Sequence, residues 1–318
     1  MSLLINNPGI QTTVQDLGRR GLGRYGLPAC GAMDRLALIT GNLLLGNKPD
    51  CAALETILHG LKIKALKEAT LTITGGDLAP HLNARPVEMW TVFKMNPGDI
   101  LHLKQTQTGF RAYICIQGGI DAPVYSGSRS VYPRGKMGRI LRKGDTVNIF
   151  PASITFPLQP VKLPAAFYPD YDRESPIQVL PGPQMDHFSR KGKKTFLNSD
   201  YTLTSRIDRQ GICLKGPSIK HRKNPGIITD PTPQGAIQVP GDGQPIILLR
   251  DAQITGGYAK IGVVTRTDLD RLSQAKPGDK IRFRLIDRNE GLRLWSNSKQ
   301  KLDKLATFLG RETCSSYY

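Results

Sequence analysis

Three stretches of this sequence combine glycine with hydroxyl, amide and charged side chains densely enough to do chemistry. The first runs Thr12-Thr13-Val14-Gln15-Asp16-Leu17-Gly18-Arg19, continues through Gly21, Gly23 and Gly26, and ends at Gly31-Ala32-Met33-Asp34. Glycine lets backbone N–H groups approach a ligand closely, and a guanidinium such as Arg19 can hold a carboxylate or phosphate in fork geometry. A loop satisfied by its own Asx turns is the competing reading. The stretch is not a Walker-type phosphate loop, because no Lys-Ser/Thr follows a glycine at the required spacing.

The second stretch is Gln117-Gly118-Gly119-Ile120-Asp121, leading to Gly127-Ser128-Arg129-Ser130. There Arg129, flanked by two hydroxyls, could clamp an anion. The third runs from Asp251 through Gln253, Thr255, Gly256, Gly257 and Tyr258 to Lys260, directly after the apolar run Ile246-Ile247-Leu248-Leu249. A Thr-Gly-Gly turn at the end of a buried strand can aim donors at a developing oxyanion, with Asp251 as base, Gln253 as amide and Lys260 as cation. A merely solvated Lys260 is the plain alternative. Ser205–Gly211, which holds Asp208 and Arg209, and Gln234–Pro240 are further candidates of the same kind.

Other chemistries find no support. The five histidines are scattered with no Ser or Cys at triad-like spacing, and no HExxH motif occurs. The five cysteines (Cys30, Cys51, Cys115, Cys213, Cys314) form no CxxC and no Cys/His metal pattern. No disulfide frame, no structural zinc and a reducing cytoplasm are expected.

The elements that must position these residues are mostly strands. Leu71–Thr74, Ile100–Leu103, Ala112–Ile116, Thr146–Phe150, Ile246–Leu249 and Lys280–Phe283 are short and alternating or β-branched. Three of them follow a Gly-Asp turn: Gly98-Asp99, Gly144-Asp145 and Gly278-Asp279. That recurrence suggests related β-barrel or sandwich units. Helices are expected from Asp34 as N-cap to Leu45, over Thr267–Leu272, and along the tail from Glu290, where Leu292, Trp295, Leu302, Leu305 and Leu309 form a stripe. Six prolines between Pro151 and Pro176 mark a connector. The expected division is therefore 1–164, 165–288 and a helical tail 289–318.

With 318 residues, 33 glycines, 23 prolines and only 7% aromatic residues, the composition disfavours a helical bundle. The start Met1–Gly9 lacks a basic n-region, and no apolar run approaches the length of a membrane span, so a cytoplasmic protein without membrane association is expected. Lys+Arg 44 against Asp+Glu 26 gives a net charge of +18. Its densest clusters are Arg190-Lys191-Gly192-Lys193-Lys194 and Lys220-His221-Arg222-Lys223. Neither carries interleaved aromatics, so a solvated face or an acidic partner is favoured over nucleic acid.

The ordered motifs PGIQTTVQDLGR (8–19), GLPACGAMD (26–34), N-x-L-x-GN (42–47), ALE (53–55), RAYICIQGGID (111–121), GSRS (127–130), LPGPQ (180–184), DRQG (208–211), GAIQVPGDGQPIILL (235–249), TGGYAKI (255–261) and PGDKIRF (277–283) span most of the chain. Together they resemble the biotin-dependent carboxyltransferase / allophanate hydrolase subunit 2 family, whose stand-alone bacterial members are described as the C subunit of 5-oxoprolinase, or KipA-like.

The resemblance implies a mainly β fold of two cyclophilin-like β-barrel subdomains with a few short helices and a C-terminal helix. It implies a protein that works with two others, a KipI-like partner (the B subunit) and a lactam-hydrolysing partner (the A subunit). Together they would use ATP and a possible Mg²⁺ on a small-molecule amide, 5-oxo-L-proline. Carried onto this chain, the catalytic candidates are Asp16, Asp208, Thr255 and Lys260. The substrate- or phosphate-binding candidates are Gln15, Arg19, Asp34, Arg129, Arg209, Gln253, Gly256, Gly257 and Tyr258, and no metal ligands are implied. The family's frequent TTGGYPKI and DRMG differ here at Ile254, Ala259 and Gln210, which touches no charged candidate but loosens the substrate assignment. The same resemblance leaves two alternatives: a biotin-dependent carboxyltransferase acting on a urea-like acceptor, and a KipA-like regulator that binds a KipI-type kinase inhibitor. No biotinyl-lysine motif is present, so biotin would have to arrive on an external carrier.

Overall fold

The computed structural model describes residues 2–151, 161–171, 174–314 and 317. The fold is mainly β, with four α-helices among the described residues: α1 (Arg35–Leu44), α2 (Arg190–Asn198), α3 (Arg266–Leu272) and α4 (Arg288–Phe308). The chain divides into two compact units. The first comprises Met1–Arg19, Cys30–Asp170 and Lys299–Tyr318; the second comprises Arg20–Ala29 and Tyr171–Ser298. Within the expected proline connector, residues 152–160, 172 and 173 lie outside the described residues. Leu163 of that stretch is buried, and its N–H donates to Trp90 O at 2.9 Å.

The first unit holds a seven-stranded and a five-stranded sheet. Leu3, Ile5, Leu61, Ile63 and Leu101 from the former share one core with Leu54, Leu71, Ile73, Ala112 and Ile114 from the latter. The strand Thr108–Ile116 is buried along nearly its whole length, because α1 covers its other face. Thr74 Oγ1 donates to Ala37 O at 2.8 Å, and Cys115 is fully buried below the helix. That burial pushes the Cys115 thiol up. α1 starts as the sequence predicts, with Asp34 Oδ1 accepting from Ala37 N at 2.9 Å.

The second unit is built on an eight-stranded sheet that nearly closes into a barrel. Its two edge strands, Lys280–Ile281 and Phe283–Leu285, are separated in sequence by Arg282 alone. Lys280–Phe283 is therefore not the single expected strand. Ile281 pairs with Tyr201 and Phe283 with Ile177, so the chain changes partner at Arg282 and joins the two ends of the sheet. The strands Gly226–Pro231 and Thr255–Tyr258 form a separate antiparallel pair.

The three Gly-Asp turns share one geometry. In each, the Asp Oδ2 accepts from the backbone N–H three residues earlier: Asn96 to Asp99 at 2.7 Å, Arg142 to Asp145 at 2.7 Å and Lys276 to Asp279 at 3.0 Å. In each, one strand residue also bonds the turn twice. Ala65, Ile5 and Leu203 accept from Gly98, Gly144 and Gly278 and donate to Asp99, Asp145 and Asp279. Two copies lie in the first unit and one in the second.

The tail forms α4, with Leu302, Leu305 and Ala306 buried, Trp295 partly buried and Leu292 49% exposed. No helix among the described residues is long and apolar enough to cross a membrane.

Candidate functional site

The predicted residues are spread over both units, with one polar cluster at Asp16 in the first and another at Lys260 in the second. In the first unit, the Asp16 carboxylate is the hub of a hydrogen-bonded loop. Oδ1 accepts from Gly18 N at 2.7 Å, Ser128 Oγ at 2.6 Å and Ser130 Oγ at 2.5 Å, and Oδ2 accepts from Arg129 N at 2.6 Å. Four donors on one carboxylate, three of them on Oδ1, fix the loop. Arg19 is buried beside it, with Nε donating to Tyr125 O at 3.1 Å and Nη2 to Ser130 O at 2.5 Å. The structure thus joins the first and second motif stretches through Asp16, Arg19 and the Ser128-Arg129-Ser130 turn.

Gln15 and Asp34 stand apart from that hub. Gln15 is fully buried, its Nε2 donating to Thr13 Oγ1 at 3.1 Å and Val131 O at 3.2 Å. Asp34 caps α1, and its N–H donates to the Tyr113 hydroxyl at 2.8 Å. That hydroxyl donates onward to Glu55 Oε2 at 2.7 Å, which also accepts from Met33 N at 2.9 Å. Burial first, then the neighbouring Glu55 carboxylate, pushes the Tyr113 phenol up. The ALE and RAYICIQGG motifs therefore meet in a buried network. The N-x-L-x-GN motif is a structural clip: Asn47 bonds Asn42 Oδ1 and Ile116 O, and its own Oδ1 takes Gly118 N at 2.8 Å.

In the second unit Thr255, Gly256, Gly257 and Tyr258 form the strand paired with the one that carries Asp230, the partner of Lys260, whose side chain has no solvent exposure. Its Nζ donates to Asp230 Oδ2 at 2.7 Å, and Gln184 Nε2 donates to the same oxygen at 3.1 Å. The Lys260 ammonium, helped by the Gln184 amide, holds the Asp230 carboxyl below the usual carboxylate range. Asp230 keeps 41% side-chain exposure and pairs across the ladder with Gly256, so an ionised acceptor sits beside the Thr255–Tyr258 strand. Thr255, Tyr258 and Gln253 are exposed there.

Two glycines make this packing possible. A Cβ on Gly182 would lie 2.2 Å from Lys260 O, so the LPGPQ turn approaches the Lys260 strand only without one. A Cβ on Gly256 would lie 2.4 Å from Gln238 Nε2, an atom that is buried and has no hydrogen-bond partner among the described residues. Gln238 in turn stands opposite Lys260 on the neighbouring strand.

Arg209 and Asp251 form a separate buried fork, Nε to Oδ2 at 2.9 Å and Nη2 to Oδ1 at 3.0 Å. Asp251 is thus committed to a guanidinium rather than free as a base. Asp208 is exposed and closes a turn, its Oδ1 accepting from Gln210 N at 2.7 Å and Gly211 N at 3.1 Å.

Sequence reasoning missed Asp230, Gln184, Glu55 and Tyr113 as polar partners, and named Gln238 only within the candidate stretch Gln234–Pro240. Asp230 and Gln238 reach the Lys260 region through different strand pairs, with Gly256 and with Lys260 respectively, that no local spacing reveals. Gln184 was legible only as part of the LPGPQ motif. Among the described residues no group of three or more His, Cys, Asp or Glu is arranged to hold a metal ion.

Comparison with known proteins places this architecture. Residues 25–285 match the model of a carboxyltransferase domain, subdomain A and B. The chain is 33% identical over 302 residues to the C subunit of 5-oxoprolinase from Haemophilus influenzae, covering 93% of this chain and 94% of that protein. It is also 33% identical over 317 residues to the corresponding 5-oxoprolinase protein of Escherichia coli, covering 98% and 99%. Among solved structures, the K. lactis urea amidolyase superposes with a TM-score of 0.88 at 29% identity over 96% of this chain. This chain spans only 20% of that larger protein.

Proposed function

The chain belongs to the carboxyltransferase-domain family, subdomain A and B, and we propose on that premise that it is the C subunit of an ATP-dependent 5-oxoprolinase. In this reading it works in the cytoplasm with a KipI-like partner and a lactam-hydrolysing partner to open 5-oxo-L-proline to L-glutamate. Support comes from two relatives of that name matched over nearly the full length of both sequences.

The single structural observation that carries an amide-handling role is the Lys260–Asp230 pair beside the Thr255–Tyr258 strand. A lactam presents one N–H donor and one carbonyl acceptor side by side. Asp230, kept ionised by Lys260, can accept from the N–H. The Thr255 hydroxyl and the backbone amides of this strand are the donors for the carbonyl oxygen, where charge develops as the ring carbon is attacked. Lys260 is then a positioning residue, acting through Asp230 rather than on the ligand.

ATP supplies phosphoryl transfer, which converts a resonance-stabilised lactam into a carbon that water can attack. The Lys260 cluster does not fit a triphosphate. Its ammonium is buried and already paired, whereas a triphosphate requires several reachable cations and a metal. The nucleotide would be held elsewhere, on this chain or on a partner, together with any Mg²⁺.

The likeness to urea amidolyase favours a second reading, transfer of a carboxyl group from an externally carried biotin to urea. Urea presents the same N–H and carbonyl groups, so the second-unit cluster serves either chemistry. Reconstitution separates them. The three co-expressed proteins should hydrolyse ATP only when 5-oxo-L-proline is present, and omission of this chain should abolish that dependence. Activity that instead requires a biotin carrier and bicarbonate would overturn the first reading in favour of the second.

A further inference from the structure

The first unit contains a cavity of about 550 Å³ that the amide-handling cluster does not use. All its lining residues belong to that unit. Much of the wall is apolar, with Val14, Ile120, Val131, Leu141 and Val147 contributing. Two guanidiniums line it, and they differ in state. Arg139 is neutralised by a bidentate pair with Asp145, both contacts at 2.7 Å.

Arg129 has no carboxylate on its guanidinium among the described residues, and its Nε is buried without a hydrogen-bond partner. Its position is nevertheless fixed. Asp16 Oδ2 takes its backbone N–H at 2.6 Å, the flanking Ser128 and Ser130 hydroxyls are tied to the same carboxylate, and the guanidinium lies 5.0 Å from the Phe150 ring centroid. A cation held by its backbone and by a ring face, beside an apolar cavity, is a pre-organised anchor for an anion.

We propose that this cavity binds a small molecule with one carboxylate head and an apolar body, the head paired with Arg129. The volume suits a small organic ligand. Arg139 and Asp145 cancel, and the remaining lining charges are Arg129 and Asp121, so the cavity offers one guanidinium to a single carboxylate, whereas a di- or triphosphate would leave most of its charge unmet and face the Asp121 carboxylate. The inference is independent of the amide-handling reading, because it concerns a different set of residues in a different unit.

The test is calorimetric titration of the full chain with benzoate, with benzamide as its uncharged isostere, and with inorganic phosphate. Benzoate should bind saturably and at least about tenfold more tightly than benzamide, as expected for one charge-assisted pair. Arg129→Gln should remove that preference. Leu141→Trp, which fills the cavity and leaves the guanidinium in place, should abolish binding of both aromatic probes while melting at the wild-type temperature. Equal affinity for benzoate and benzamide, absence of saturable binding, or benzoate binding unchanged in both variants would each overturn the proposal. Phosphate binding as tightly as benzoate would overturn the single-carboxylate assignment.

Discussion

Lys260 and Asp230 make opposite demands on their surroundings, and mutation separates them. Removing the carboxylate leaves a buried ammonium uncompensated, whereas removing the ammonium leaves a half-exposed carboxylate that water can solvate. Asp230→Asn is therefore expected to lower the melting temperature by several degrees, and Lys260→Met to change it little, as differential scanning fluorimetry would read. Among the other carboxylates, Asp270 is buried, and that desolvation pushes it up to about 7 against the pull of Arg250. In the unfolded chain its value is about 4. Between those values the folded protein holds a proton the unfolded chain has released, so stability from this group falls as pH rises through the window. Asp270→Asn should flatten that fall, narrowing the difference between urea midpoints at pH 5 and pH 8. A variant whose pH dependence matches wild type would place the slope on other groups. At this scale the sequence exposed charged candidates but not their states. Lys260, Arg129 and Asp16 were all visible, yet one is buried and paired, one has no carboxylate on its guanidinium among the described residues and one accepts four donors that tie its loop together.

Elements show which motifs are scaffolding and which serve a site. Asp34, a binding candidate by motif, caps α1 through Ala37 N, so Asp34→Ala should cost roughly 1 kcal/mol in equilibrium unfolding. Gly256→Ala should behave differently. Its Cβ meets the far end of Gln238, a flexible side chain that can move at small cost in stability. Displacing that amide next to Lys260 should lower 5-oxoproline-dependent turnover roughly tenfold or more, since small misplacements near a reacting group are costly. Full turnover in this variant would show that the Thr255–Tyr258 strand lies away from the chemistry. The Gly-Asp turns, the α1 cap and strands such as Ile100–Leu103 and Ala112–Ile116 were legible because each is specified within a few residues. The split at Arg282 was not, because it arises from two different partners, Tyr201 and Ile177, reached only when the sheet curls. α2 was also missed. Its lysines read as a charge run, and its helical identity rests on the Ser189 cap, whose Oγ accepts from Gly192 N at 3.0 Å, and on burial of Phe196.

On the scale of the molecule, the two basic clusters that are separate in sequence become neighbours. Ser189 N donates to Lys220 O at 3.0 Å, and a Cβ on Gly192 would lie 2.2 Å from that same oxygen. Arg190, Lys191 and Lys194 are thereby brought beside Lys220 and Arg222, all exposed, on the second unit. These five cations concentrate part of the +18 charge on one face, which suits an acidic partner surface. If the proposed KipI-like partner docks on this face, its association should weaken steeply as salt rises, and Arg190→Glu with Lys194→Glu should weaken it further while flattening that dependence. A salt slope unchanged by the double reversal would place the interface elsewhere. The most direct test of the central claim is the pH profile of 5-oxoproline-dependent ATP hydrolysis by the reconstituted complex carrying Lys260→Met. Without the ammonium, Asp230 loses the larger of the two contacts that hold it low and keeps only the Gln184 amide, so the acidic limb of the profile should move to higher pH and the plateau rate should fall. A profile and rate identical to wild type would contradict a role for the Lys260–Asp230 pair in handling the amide.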